Sequence, residues 1–294
     1  MMTRAARLLR FKYLSYKREL RYWMINLKNK NGFQIKNIEG SQMRLDLKDR
    51  GLPKDLILDG IREPESTEMI KKILNEGSTV IDIGANIGYY ALMESRLVGN
   101  KGAVYAIEPS PRNFNCLKSN IELNGYRNIK AYQIAIGDRI GKAKMNISPH
   151  SNLNSLVDQK NKKIIGRIDV DITSLDYFLK KKKNPDFIRM DVEGYECNII
   201  RGMKNILKKK RPLKLFIELH PHIMYKEQTI NVLKTLMENG FETRKVTRSV
   251  TVSEMKVMLR KQYDFSYKSI KELLNDENFI SGKMGAFEMF FERK

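Results

Sequence analysis

The stretch Val80-Ile81-Asp82-Ile83-Gly84-Ala85-Asn86-Ile87-Gly88-Tyr89-Tyr90 decides the fold. Thr79 to Ile83 is an apolar run of strand length, which predicts a buried strand. It runs into a turn of small residues and then into a helix over Gly88 to Leu97. Gly84 lets a ligand approach the backbone, and Gly88 lets the helix start close to the strand. The spacing is G-x-N-x-G, whereas a dinucleotide-binding turn reads G-x-G-x-x-G. Asn86 tolerates the left-handed backbone that a middle glycine would take. The acid Asp82 stands two residues before Gly84 and suits a cationic ligand better than a pyrophosphate. Glu108 follows Asp82 by 26 residues, at the end of the next apolar run. A carboxylate there can accept both hydroxyls of a ribose. S-adenosylmethionine, with a sulfonium, an amino group and a ribose, matches this pair. A tight turn of any α/β sheet, with Asp82 merely accepting from backbone amides, is the plainer alternative.

Outward from this stretch, strands and helices alternate. Ala103 to Ile107 is a second strand, followed by a helix opened by Ser110-Pro111 and ended at Asn124-Gly125. Ile129 to Ile136 reads as a third strand and Lys142 to Ile147 as a short extended piece. Phe187 to Val192 is a fourth strand, with a helix from Tyr195 to about Leu207. Leu213 to Leu219 is a fifth, followed by a helix to Asn239-Gly240. Phe241 to Val246 and Ala286 to Glu292 complete the pattern. Such alternation means an α/β fold, a parallel sheet with helices on both faces. Before it, Phe33 to Asn37 and Gln42 to Leu47 form a small hairpin, and Pro64 opens a helix stopped by Gly77. Residues 1–60 therefore read as a basic helix and hairpin extension. Residues 61–294 read as the main domain, with a polar insertion at about 248–285.

Composition limits the function. The chain has 294 residues, 41% of them apolar, enough to bury a core. Two cysteines, Cys116 and Cys197, exclude a disulfide scaffold and a cysteine-based metal site. No run of 18 apolar residues spans a membrane, and no signal-peptide core follows the basic start. The expectation is a cytoplasmic, thiol-reduced protein. Net charge is +21, which points to an anionic partner or only to a lysine-rich surface. Residues 1–30 concentrate it, with nine Lys or Arg against Glu19 alone. There Leu9, Tyr13, Tyr16, Leu20, Trp23 and Leu27 recur at steps of 4, 3, 4, 3 and 4, one face of a helix flanked by Arg10, Lys17, Arg21 and Lys28. Two roles fit this helix. It packs its stripe on its own domain or on a second copy, or it rests on an anionic membrane at the inner surface of the cell. The runs Lys180 to Lys183 and Lys208 to Arg211 read as solvated cations near helix C-termini rather than nucleic-acid patches.

From about Gly60 to Val246 the chain resembles the FkbM-type methyltransferases, a branch of the seven-stranded class I family. The resemblance rests on DIGANIGYY at 82–90, AIEPSP at 106–111, the segment from Val170 to Phe178, and above all IRMDVEGYE at 188–196, with Glu218-Leu219-His220 after the fifth strand. It implies a Rossmann-like, mostly parallel seven-stranded sheet with an antiparallel last strand. It also implies S-adenosylmethionine as cofactor, held by Asp82, Gly84, Ala85, Asn86, Gly88, Glu108 and Asp191, with Ala135, Gly137 and Asp138 at the adenine edge. The reaction implied is O-methylation of a sugar, glycan or glycolipid at a hydroxyl or carboxyl.

Methyl transfer to an alcohol needs a proton acceptor or a metal, because the hydroxyl is a weak nucleophile near neutral pH. Asp191, Glu193, Glu218 and His220 all stand at carboxyl ends of strands, where such groups belong. His220 is the expected base, since its unperturbed pKa is about 6.5. Asp191 and Glu193 orient it or hold a divalent cation through oxygen ligands. Glu193 as a helix N-terminal cap and His220 as an ordinary loop histidine are the plain alternatives. The loop His150-Ser151-Asn152 and the 248–285 insertion are expected to shape the acceptor pocket. An RNA methyltransferase, which the charge alone would allow, and a cofactor-binding scaffold without turnover are the competing functions. No RNA-binding module supports the former.

Overall fold

The computed structural model describes residues 4–159, 163–249 and 269–294. It opens with α1 (Arg4–Lys28), the hairpin β1 (Phe33–Ile38) and β2 (Ser41–Asp46), and the helices α2 (Leu52–Asp59) and α3 (Pro64–Ile73). Then follow β3 (Thr79–Ile83), α4 (Tyr89–Val98), β4 (Ala103–Ile107), α5 (Pro111–Leu123), β5 (Ile129–Tyr132), β6 (Ala135–Gly137), β7 (Gly141–Ile147) and β8 (Gly166–Ser174). After α6 (Leu175–Phe178) come β9 (Phe187–Met190), α7 (Glu196–Arg201), α8 (Lys204–Lys208), β10 (Leu213–Leu219), α9 (Lys226–Glu238) and β11 (Glu242–Arg248). The chain closes with α10 (Ile270–Asn275), α11 (Glu277–Ile280) and β12 (Phe287–Arg293).

Seven strands form one sheet in the order β11-β12-β10-β9-β3-β4-β5. Only β12 runs antiparallel to its neighbours. Successive residues of the central strands face opposite sides. Ile81, Ile83, Ile188 and Met190 pack under α7, α9 and α11. Val80, Val104, Phe187 and Phe216 pack against α2, α3 and α4. Strands buried on both faces are largely apolar on both, so these runs show no alternation in the sequence, and the buried pair Asp82 and Arg189 is their exception. The chain leaves β3 toward β4 and β5, then returns to β9 on the other side of β3. Ligands of open α/β sheets bind outside the carboxyl ends at such a reversal.

Several elements differ from the sequence expectation. The expected strand Ile129 to Ile136 is two strands, because β6 leaves the main sheet to pair with β8 in a separate three-stranded sheet, β6-β8-β7. The expected helix from Tyr195 to Leu207 breaks at Gly202, where a Cβ would lie 1.8 Å from the Gly137 carbonyl oxygen. Helix α2 and strand β8 are additional. Residues 250–268 of the expected insertion lie outside the described residues, and its remainder supplies α10 and α11.

The N-terminal helix forms, but the periodic stripe is not the face that packs. Arg18 pairs with Asp55 and Asp59 of α2. The buried Tyr22 hydroxyl donates to the Leu47 carbonyl at 2.7 Å, and Ile25 packs on the core. The stripe from Leu9 to Leu27 points away, exposed. No helix among the described residues is long and apolar enough to cross a membrane.

Candidate active site

The turn after β3 is fixed by close packing. Gly84 has φ +84°, and a Cβ on it would lie 2.0 Å from the Asp191 carbonyl oxygen. The Gly84 and Ala85 amides both donate to the Ile107 carbonyl, at 2.9 and 3.0 Å, which ties the turn to the end of β4. Asn86 takes the left-handed conformation, φ +52°, as its small polar side chain permits. One residue past β4, Glu108 accepts from the Asn86 amide through Oε2 and from the Ser110 amide through Oε1, each at 2.9 Å. Its carboxylate is therefore oriented before any ligand arrives. Burial pushes the Glu108 carboxyl up to about 7, against the pull of those amides.

Beneath the turn lies a charged layer. Asp82 and Arg189 are register partners on β3 and β9. The Arg189 guanidinium reaches Asp82 Oδ1 at 3.0 Å and Asp191 Oδ2 at 3.1 Å, and lies over the Tyr90 ring, 3.9 Å from its centroid. Arg62, from the loop before α3, pairs with Glu63 and approaches Asp191 at 3.8 Å and Glu218 at 3.9 Å. Burial alone would raise Asp191, but the two guanidiniums outweigh it and hold the carboxyl below its usual range. Glu218 goes the other way, raised by burial and by the Asp191 charge. Asp82 is raised by burial despite Arg189. Glu94 on α4 is raised well above the ordinary value by burial and by Asp82.

His220 stands behind this layer. Its Nδ1 is 2.8 Å from Glu196 Oε1. Its Nε2 is 3.7 Å from Glu218 and 3.9 Å from Glu193. Burial disfavours the imidazolium, yet Glu196, Glu193 and Glu218 together raise His220 well above 6.5. The three acids thus favour the charged form of the ring. Ligand atoms of Asp191, Glu193 and His220 lie within 4.8 Å of one another, a spacing that could hold a metal ion.

These elements surround a cleft at the carboxyl edge of the sheet, the place where open α/β sheets bind their ligands. Of the residues expected in the site, Gly84, Ala85, Asn86, Glu108, Ala135, Asp191 and Glu193 line it. Asp82, Gly88, Gly137, Glu218 and His220 are buried around it and do not line it. Asp138 is exposed and accepts from Asn198 at 3.0 Å. Ser151 and Asn152 form part of the wall, as expected of that loop, and His150 does not. Arg62, Tyr89, Tyr90, Asn113, Met145 and Arg189 also line the cleft and were not expected there. Arg189 had a readable signal. A cation inside an apolar strand needs a buried acid beside it, and Asp82 occupies the matching place in β3. Arg62 had none, since a loop arginine in sequence resembles any other.

Seven strands with a reversed penultimate position in the sheet, a glycine turn after β3 and a backbone-held carboxylate after β4 define a class I methyltransferase fold. Residues 82–266, more than half of the chain, match the family described as Methyltransferase FkbM domain, and the chain belongs to that family. It is 26% identical over 148 residues to Methyltransferase 1 of Beauveria bassiana, covering 44% of this chain and 59% of that protein. The chain thus spans less than two thirds of that relative's length. It is 22% identical over 224 residues to the hexuronic acid methyltransferase AglP of Haloferax volcanii, covering 75% of this chain and 77% of that one. Among solved structures, a SAM-dependent methyltransferase from Aquifex aeolicus is 17% identical, with a TM-score of 0.40 over 79% of this chain and 90% of that chain.

Proposed function

We propose that this protein transfers a methyl group from S-adenosylmethionine to an oxygen of a sugar, glycan or glycolipid. Glu108 carries the cofactor half of this reading. Its two oxygens are pre-oriented at the cleft wall by backbone amides, beside the tightly packed glycine turn that also lines the cleft. When bound, the cofactor supplies the methyl electrophile. The similarity to a hexuronic acid methyltransferase supports a sugar acceptor.

Among the catalytic candidates, Asp191 and Glu193 line the cleft, and His220 lies behind it. Asp191 is taken up by Arg189 and Arg62, which leaves Glu193 as the group that takes the proton of an acceptor hydroxyl. His220, bonded to Glu196 and facing Glu193 and Glu218 through its other nitrogen, acts as a positioning residue. An acceptor carboxylate would need no base, and the Arg62 guanidinium in the cleft wall would orient it. A divalent cation on Asp191 and Glu193 competes for the same oxygens, and it would have to share Asp191 with Arg189 and Arg62. Full activity after chelator treatment and desalting favours the metal-free form; loss restored by added magnesium favours the cation.

The deciding experiment is transfer of labelled methyl groups into fractionated glycan, lipid and RNA from the source cell. Label in a sugar-containing fraction supports the proposal. Label in RNA would establish the competing reading that the net charge of +21 allows. Cofactor binding without transfer to any fraction would leave a scaffold.

A further inference from the structure

We infer that α1 docks the protein on an anionic lipid surface. The helix carries two faces with side chains to bury. Arg18, Tyr22 and Ile25, at steps of 4 and 3, hold it to α2 and to the end of the hairpin. The stripe Leu9, Tyr13, Tyr16, Leu20, Trp23 and Leu27 lies on the opposite side of the cylinder, about 180° away at 100° per residue. Leu9, Tyr16, Trp23 and Leu27 are 67%, 69%, 58% and 61% exposed. Docking through one face therefore leaves the other presented outward on a tethered helix. An apolar, aromatic row of this length is not what a solvated helix surface shows.

Charge selects the occupant. Arg10, Lys17, Arg21 and Lys28 follow one edge of the stripe at steps of 7, 4 and 7, Arg21 also donating to the Leu58 carbonyl at 3.2 Å. Glu19, the acid of this helix, is paired with Lys54. A second copy laid on the stripe would bring two cationic helices together without acids to answer them. A bilayer surface containing anionic phospholipid answers both features. Tyrosine and tryptophan rings and leucines enter the interface, while lysines and arginines reach the headgroups.

Trp23 is the single tryptophan of the chain, so its fluorescence reports on this stripe alone. The full-length protein is titrated with phosphatidylcholine vesicles, with or without phosphatidylglycerol. Emission should shift to the blue with the mixed vesicles and respond far less to the neutral ones. Leu20→Ser with Leu27→Ser should weaken vesicle affinity at least tenfold. Each of Lys17→Ser and Lys28→Ser should cost about fivefold, the size of one cation at an anionic surface. All these side chains are exposed, so melting temperatures should match the parent and exclude misfolding. No spectral response to mixed vesicles overturns the inference. So does a blue shift without lipid that grows with protein concentration, which would make the occupant a second copy, or a shift produced by RNA and not by vesicles. The readout is vesicle binding, so its failure leaves the methyl-transfer proposal untouched, and the reverse.

Discussion

Glu108 links two opposite pH dependences. Its carboxyl titrates at about 7 in the folded protein and near 4.5 when unfolded. The folded state thus holds a proton that the unfolded state releases in that window. Its contribution to apo stability is present below about 4.5 and lost as pH rises through 7, roughly 3 kcal/mol for a shift of this size. Ribose binding has the opposite sign, since the ionised carboxylate is the better acceptor. Cofactor affinity, measured calorimetrically, should rise toward a plateau above pH 7 and fall up to tenfold per unit below it. Glu108→Gln should abolish that slope and weaken binding on the order of tenfold or more, because an amide nitrogen would face a backbone donor. A mutant that keeps the slope would move the titration to another group. The proton acceptor is tested in the same way. Glu193→Gln should lower kcat by about 10² to 10⁴ with cofactor affinity nearly intact. His220→Gln should have a smaller effect and shift the pH profile. A larger loss at His220 would make the histidine the base.

At the scale of elements, the turn between β3 and α4 joins the sheet to the site. A methyl at Gly84 would overlap the Asp191 carbonyl, so Gly84→Ala must push β3 away from the end of β9. Backbone strain and clash together should cost about 3 kcal/mol or more. Thermal melting should show it together with lost cofactor binding; an unchanged melting temperature would mean that the two strand ends can separate at little cost. This turn was legible in the sequence because glycine, asparagine and an apolar strand together leave few conformations. Strand β8 was missed although Gly166–Ser174 alternates polar with apolar, the period of a half-buried strand. Helix α1 was legible as an amphipathic helix, but not in the side that it packs. Tyr22 and Ile25 form a second, shorter apolar row whose value comes only from α2 and the hairpin beneath it. Periodicity marks which residues share a face and not which neighbour covers it.

Across the whole molecule, charge is sorted by sign. Among the described residues the cations lie mostly outside, while acids from β3, α4, the loop before α3, the loop before α7 and β10 meet in the interior around Arg189 and Arg62. The candidate acids were readable one by one at strand ends. Their electrostatic states were not, because these depend on guanidiniums brought in from β9 and from a loop more than a hundred residues away. Arg189 sets those states and is the point at which to test them. It is 3% exposed at the side chain and bridges Asp82 and Asp191. Arg189→Met keeps the bulk, removes the cation, and leaves two buried carboxylates without their partner. Breaking a buried pair on one side costs about 3 to 5 kcal/mol, and urea unfolding at pH 7 should show a loss of that size. Both orphaned carboxyls would then bind protons more tightly than in the parent. The deficit should therefore shrink as pH falls toward 5, where protonation neutralises them at less cost. Arg189→Lys should recover part of the stability at pH 7, having the charge without the fork that spans both acids. A deficit below about 1 kcal/mol, or one equal at pH 5 and pH 7, would show that the interior acids are neutralised by some other means and that Arg189 does not organise the site.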